Sequence, residues 1–225
     1  MANGYHGWMS SANTPVDLLP IPDRSFGAFL FDLDGTIADS MPLHLITWQQ
    51  AVHEAGGDFP EDLFWQWGGI PLPRTVEMLN ERFGYRLSPA AVVHRKEQLY
   101  LSMIEQVRPI ASVVAHITAQ HGQIPMAVVS GSPRLTVEST LKALHLGHCF
   151  DAIVAAEDYA HGKPDPEPFL TAARQLNVPP AACLVFEDAE AGIESAQAAG
   201  MAWVRVPVHH LATAVAALTP QATPV

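Results

Sequence analysis

Two aspartates one residue apart, Asp32 and Asp34, stand where the apolar run FGAFLF at 26–31 stops, and Gly35 follows them. Ser130 ends a second apolar run, PMAVVS at 125–130. Glu187 and Asp188 end a third, CLVF at 183–186, and Glu157 and Asp158 follow a fourth, AIVAA at 152–156. Lys163 lies between these last two, just before Pro164. A carboxylate such as Asp32 can take up a phosphoryl group as a nucleophile. A second one, Asp34, can exchange protons with the leaving oxygen and then with water. Gly35 permits the sharp turn that would bring Asp34 back to the same centre. Gathered together, Asp32, Asp34, Glu187 and Asp188 would repel one another, and a hard divalent ion relieves that; Mg²⁺ suits one or two carboxylates plus a phosphate oxygen. Ser130 and the backbone around Gly35, Thr36, Gly131 and Ser132 offer donors to phosphate oxygens. Lys163 would balance charge on the nucleophile and the phosphate. The equipment is that of phosphoryl transfer. Each piece alone has a plainer reading: Asp-Gly is a common turn, Asp188 can cap the helix after it, and Ser130 and Lys163 can be surface groups.

These residues converge only if the runs are neighbouring strands. Strands are predicted at 26–31, 125–130, 152–156, 183–186 and 202–206, with helices between them at 112–121, 133–144, 166–176 and 189–199. Strands alternating with helices imply a parallel sheet with helices on both faces, an α/β, Rossmann-like architecture. Ligands bind such sheets outside the carboxyl ends of the strands, where the acidic residues fall. Residues 42–108 break the rhythm. Helices are predicted there at 42–55, 64–67, 75–83 and 89–107, and no strand. The chain therefore divides into a loose arm at 1–25, a core at 26–41 and 109–225, and an inserted helical unit at 42–108 hinged near 40–42 and 108–109.

DLDGT at 32–36, VVSGS at 128–132, HGKPDPEPF at 161–169 and VFEDAEAGIESAQAAGM at 185–201 resemble, in order, the four motifs of the haloacid dehalogenase-like superfamily. The resemblance implies Asp32 as nucleophile, Asp34 as acid and base, and Ser130 and Lys163 at the phosphate. It implies Mg²⁺ held through Asp32, Asp188 and the Asp34 carbonyl, with Glu187 assisting. The inserted helices resemble the α-helical cap of the β-phosphoglucomutase-like and sugar-phosphatase group. His44 matches a histidine of that group which couples substrate binding to closure. GGIPLPR at 68–74 resembles the cap specificity loop, with Arg74 as a contact for a distal group and Lys96 as a further candidate. Asp34 argues against a dehalogenase, which releases halide and needs no leaving-group acid. The mutases carry Ser-Lys after the second motif's serine; here the stretch is Ser132-Pro133-Arg134, which favours a phosphatase of small sugar phosphates, of the fructose-1-phosphate type, over a hexose-phosphate mutase. A receiver-type phospho-acceptor domain is disfavoured by DLDGT and by the helical insert.

Composition narrows the partners. The formal charge of −11 argues against nucleic acid, whose backbone needs cationic partners. Two cysteines, Cys149 and Cys183, are too few for a disulfide framework, so reduced thiols in a cytoplasmic protein are expected. No membrane span or signal peptide is expected. A small phosphorylated substrate and a monomer complete the expectation. The remaining histidines, including His209-His210 at a surface helix start, carry no metal-site spacing.

Overall fold

The computed structural model of the chain describes residues 18–207. Expectations for most of the N-terminal arm, for His209-His210 and for the C-terminal tail lie outside the described residues. In chain order the strands are β1 (Ala28–Phe31), β2 (Ala38–Asp39), β3 (Arg108–Pro109), β4 (Met126–Val129), β5 (Ala152–Val154), β6 (Cys183–Glu187) and β7 (Ala202–Arg205). Five of them form one parallel sheet in the order β5-β4-β1-β6-β7. β1 is central and wholly buried, which is why it reads as continuously apolar.

Alternate residues of the strands feed two cores. Phe29, Phe31, Met126, Val128, Leu184 and Phe186 face one side and meet Val113 and Ile117 of α5 (Ala111–Gln120) and Val137 and Leu141 of α6 (Arg134–Ala143). Ala28, Leu30, Ala127, Val129, Cys183 and Val185 face the other and meet Phe169 and Ala172 of α7 (Glu167–Gln175) and Ala196 of α8 (Glu190–Ala198). The period-2 pattern thus places two helices on each face.

The insert is α1 (Met41–Glu54), α2 (Glu61–Gln66), α3 (Leu72–Phe83) and α4 (Pro89–Met103). It has its own core of Leu45, Trp48, Val52, Phe59, Leu63, Val76, Leu79 and Leu99, against which Trp65 and Trp67 pack. Two details depart from the expectation. The last helix stops at Met103 and gives way to a 3₁₀ turn, Ile104–Gln106. Two short strands also frame the insert: β2 pairs antiparallel with β3, Ala38 opposite Pro109 and Asp39 opposite Arg108. Two-residue strands carry no readable periodicity. The insert rests on α6, where the Tyr100 and Thr140 hydroxyls meet at 3.1 Å and the Thr136 hydroxyl donates to the Glu97 carboxylate.

Candidate active site

From β1 the chain runs outward through β4 and β5, then returns to β6 on β1's other side. The crevice at the carboxyl ends of β1 and β6 is therefore the point where strand order reverses, the favoured ligand position of such sheets. Asp32 leaves β1 there, its N–H still bonded to the Phe186 carbonyl at 3.0 Å. The residue is 8% exposed. The Lys163 ammonium donates to Asp32 Oδ1 at 2.7 Å, to the Val129 carbonyl at 3.1 Å and to Glu187 Oε1 at 3.4 Å. Burial opposes the lysine's charge, but Asp32 and Glu187 outweigh it and hold the ammonium above its ordinary range.

One ammonium faces three carboxylates. Asp32, Glu187 and Asp188 each offer an oxygen, and the three oxygens lie within 4.8 Å of one another. Burial, then Glu187, pushes the Asp32 carboxyl well up against the opposing pull of Lys163. Burial raises Glu187 to about 7, with Lys163 opposing and Asp188 adding to the rise. Asp188 is raised as well, chiefly by burial, although the Thr36 hydroxyl donates to it at 3.0 Å. This surplus of buried negative charge fits a hard divalent cation with oxygen ligands. Two glycines make room for the carboxylates. Gly35 has φ +89°, and a Cβ there would lie 2.4 Å from Asp188 Oδ2; a Cβ at Gly192 would lie 1.5 Å from Glu187 Oε1.

Asp34 has separate surroundings. The loop after β1 turns tightly, with the Ile37 and Ala38 N–H groups both bonded to the Leu33 carbonyl. Asp34 Oδ1 accepts from the Ser40 hydroxyl at 2.6 Å and lies 3.0 Å from His44 Nε2. Oδ2 accepts from Ser132 Oγ at 2.9 Å and from Ser130 Oγ at 3.5 Å. Burial alone would raise this carboxyl; His44, Ser40 and Ser132 more than reverse that and hold it far below the usual carboxylate range. The His44 ring stacks on Tyr100 at 4.3 Å, and its Nδ1 is buried without a partner. Burial, then the nearby Lys96 charge, lowers the His44 pKa.

Other sequence candidates fall elsewhere. Thr36, expected among the phosphate donors, is fully buried with its hydroxyl turned to Asp188. Arg74 is not brought to the cluster: its guanidinium bonds Glu77 and Glu81 on its own exposed helix face. Glu157 and Asp158 do not converge on the site either. Glu157 accepts the Arg134 N–H at the start of α6, and Asp158 accepts from the Arg134 guanidinium and the Ala155 N–H. Lys96 is buried, 2.7 Å from Glu97 and over the Trp48 and Tyr100 rings. Sequence reasoning passed over Ser40, whose position before a helix beginning Met-Pro reads as a cap, and Tyr159, whose hydroxyl donates to the Ser130 carbonyl at 3.0 Å. Both cysteines are free and buried. Among the described residues no helix is long and apolar enough to cross a membrane.

Residues 26–200 match the family model of the haloacid dehalogenase-like hydrolases. The chain is 37% identical over 177 residues to the fructose-1-phosphate phosphatase YqaB of Escherichia coli (strain K12), covering 78% of this chain and 94% of that protein. It is 32% identical over 186 residues to the β-phosphoglucomutase of Bacillus subtilis (strain 168), covering 77% and 80%. The fold is similar to that of CbbY from Rhodobacter sphaeroides in complex with phosphate, with a TM-score of 0.75 over 81% of this chain and 86% of that one, at 22% identity.

Proposed function

The chain belongs to the haloacid dehalogenase-like hydrolases, and from that membership we propose that it is a Mg²⁺-dependent phosphatase of small sugar phosphates, acting through an aspartyl-phosphate on Asp32. The observation that carries this reading is the separation of two carboxylates with opposite surroundings. Asp32 sits with Lys163, Glu187 and Asp188, whereas Asp34 sits among hydroxyls and His44.

In the first step an Asp32 oxygen bonds to phosphorus as the ester P–O bond breaks, and Asp34 gives its proton to the departing sugar oxygen. Asp34 disfavours that proton in the free chain, so it is taken up as the phosphate's negative charge enters beside it, with His44 Nε2 at 3.0 Å as the adjoining group. In the second step the Asp34 carboxylate takes a proton from water, the water oxygen bonds to phosphorus and the Asp32–phosphorus bond breaks. Phosphate leaves and Asp34 is protonated for the next cycle. Lys163 orients Asp32 and favours its ionised form against the burial that opposes it, and Ser130 with the Gly131 and Ser132 backbone receives phosphoryl oxygens. Mg²⁺ would be held by Asp32, Glu187 and Asp188 with the Asp34 carbonyl, and supplies charge neutralisation of the phosphoryl group.

We take residues 42–108 as a cap whose closure excludes water and selects the sugar. Gly69, in the loop expected to set specificity, meets the core at α8: a Cβ there would lie 3.7 Å from Ala191 Cβ. Fructose 1-phosphate, the substrate named for the E. coli relative, is the first ester to test. A mutase is the second reading, because relatives include one. It is disfavoured because Pro133 follows Ser132 where the mutases carry lysine after serine, and the next side chain, Arg134, is bound to Asp158 and the Ile153 carbonyl. A monomer in a reducing, cytoplasmic setting suits the two buried thiols.

A phosphate-release screen over sugar phosphates, with and without Mg²⁺, tests the reading beside Asp32→Asn. Release should need the metal and fall by about 10³-fold or more in the variant. A variant as active as the parent removes the nucleophile, and an isomerised sugar phosphate in place of free phosphate establishes the mutase.

A further inference from the structure

The loop from 159 to 167 contributes Lys163 to the site, and it also contributes Tyr159, for which the reaction above has no role. Lys163 Nζ takes the Val129 carbonyl at 3.1 Å, and the Tyr159 hydroxyl takes the next carbonyl, that of Ser130, at 3.0 Å. The tyrosine ring lies between two segments of the site. A Cβ at Gly131 would be 4.0 Å from its hydroxyl, and one at Gly162 would be 3.6 Å from its Cε2. The loop beneath is itself held: Glu167 accepts the Ala160 and His161 N–H groups at 3.1 and 2.9 Å, and the Asp165 N–H bonds the Gly162 carbonyl at 3.0 Å. Burial, reinforced by Asp32, Glu157 and Asp158 and opposed by Lys163, raises the phenol pKa, so the hydroxyl remains a donor at neutral pH.

A peptide group is planar and trans, so its C=O and the following N–H point in opposite directions. Fixing the Ser130 carbonyl therefore fixes the direction of the Gly131 N–H. The Ser130 N–H is held by the Val154 carbonyl at 2.9 Å and the Ser132 carbonyl by the Ala156 N–H at 3.1 Å. Of the two peptides between them, the second has its Ser132 N–H bonded to Ser130 Oγ at 3.0 Å, and Tyr159 restrains the first. We propose that Tyr159 is a positioning residue for phosphate recognition: its hydroxyl, through the Ser130 carbonyl, aims the Gly131 N–H and the Ser130–Ser132 turn at the phosphoryl group. This rests on the phosphatase reading for the identity of the ligand, and it assigns to the lysine loop a second task besides carrying Lys163.

Tyr159→Phe keeps the ring and removes only the hydroxyl. With saturating Mg²⁺, the affinity for inorganic phosphate, read by calorimetry and by product inhibition, should weaken by about tenfold, as expected for one lost hydrogen bond to a buried carbonyl. The kcat/KM for the ester should fall with it, while the half-saturating Mg²⁺ concentration stays at the parent value and the melting temperature drops by only the few degrees that one buried hydrogen bond is worth. Tyr159→Leu, which also loses the ring, should weaken phosphate no further. Parent-like phosphate affinity in Tyr159→Phe, a matching loss of Mg²⁺ affinity, a Tyr159→Phe chain that does not fold, or a further loss of phosphate affinity in Tyr159→Leu overturns the assignment. A parent that releases phosphate from no ester sinks the phosphatase reading instead, and the calorimetric comparison still decides the role of Tyr159.

Discussion

Asp34 shows how one carboxylate is given a role different from its neighbour's two residues away. Three hydroxyls and an imidazole converge on it, and they outweigh the burial that would otherwise raise its pKa. The sign for stability follows. A carboxyl lowered on folding contributes stability that is complete above the unfolded value near 3.8 and is lost only as pH falls through the lower folded value. Asp34→Asn should lower turnover by about 10²- to 10⁴-fold. Its Mg²⁺ affinity should stay near the parent's, because the expected metal contact is through the backbone. Metal titration alongside steady-state kinetics checks both, and a collapse of Mg²⁺ binding would contradict the assignment. Asp34 itself was legible because it belongs to a five-residue motif. Ser40 was not, because the turn that swings it back to Asp34 is a tertiary fact with no local periodicity. Arg74 was legible only as a charge: its partners Glu77 and Glu81 lie three and seven residues on, along the helix, and they hold it on the outer face.

At the scale of elements, the sheet was readable because its three central strands, β1, β4 and β6, are buried on both sides and end abruptly at a polar residue. The strand ends at Asp32, Ser130 and Glu187 converge, but the one at Glu157 and Asp158 turns aside. Its carboxylates fasten the start of α6, where an exposed backbone N–H and the Arg134 side chain await them. A list of strand-ending acids cannot separate those two outcomes. The contact between β6 and α8 supplies a sharper prediction. Gly192 lies so near Glu187 that any side chain there displaces the carboxylate. Gly192→Ala should cost roughly 2 kcal/mol of stability from overpacking and weaken Mg²⁺ binding along with it. Thermal unfolding with and without Mg²⁺ measures both effects, and a variant with parent-like melting and metal affinity would show that Glu187 has another place to go.

For the molecule as a whole, metal and fold should be linked through the acidic cluster. Glu187 has its carboxyl raised from 4.5 to about 7 by burial, so the folded chain holds a proton there that the unfolded chain has released. Metal-free stability should therefore decline as pH rises from about 4.5 toward about 7. The rise in melting temperature on adding Mg²⁺ should accordingly be larger at pH 7.5 than at pH 5.5, and equal shifts would exclude the linkage. The insert's seat on the core is the second global feature. Thr136→Val strips the Glu97 carboxylate of its donor from α6 and should raise KM several-fold with a smaller change in kcat, the pattern of weakened closure. That seat was invisible in the sequence, since Glu97 and Thr136 are 39 positions apart. The β2–β3 ladder has its own consequence for how such an enzyme could arise and be rebuilt. Because Asp39 and Arg108 face each other across a single ladder, the 68 residues between them leave and re-enter at neighbouring points. A tight hairpin of two residues can bridge that gap, so the intervening segment should be exchangeable as a block: replacing it by such a hairpin is expected to leave the five-stranded sheet closed beneath it.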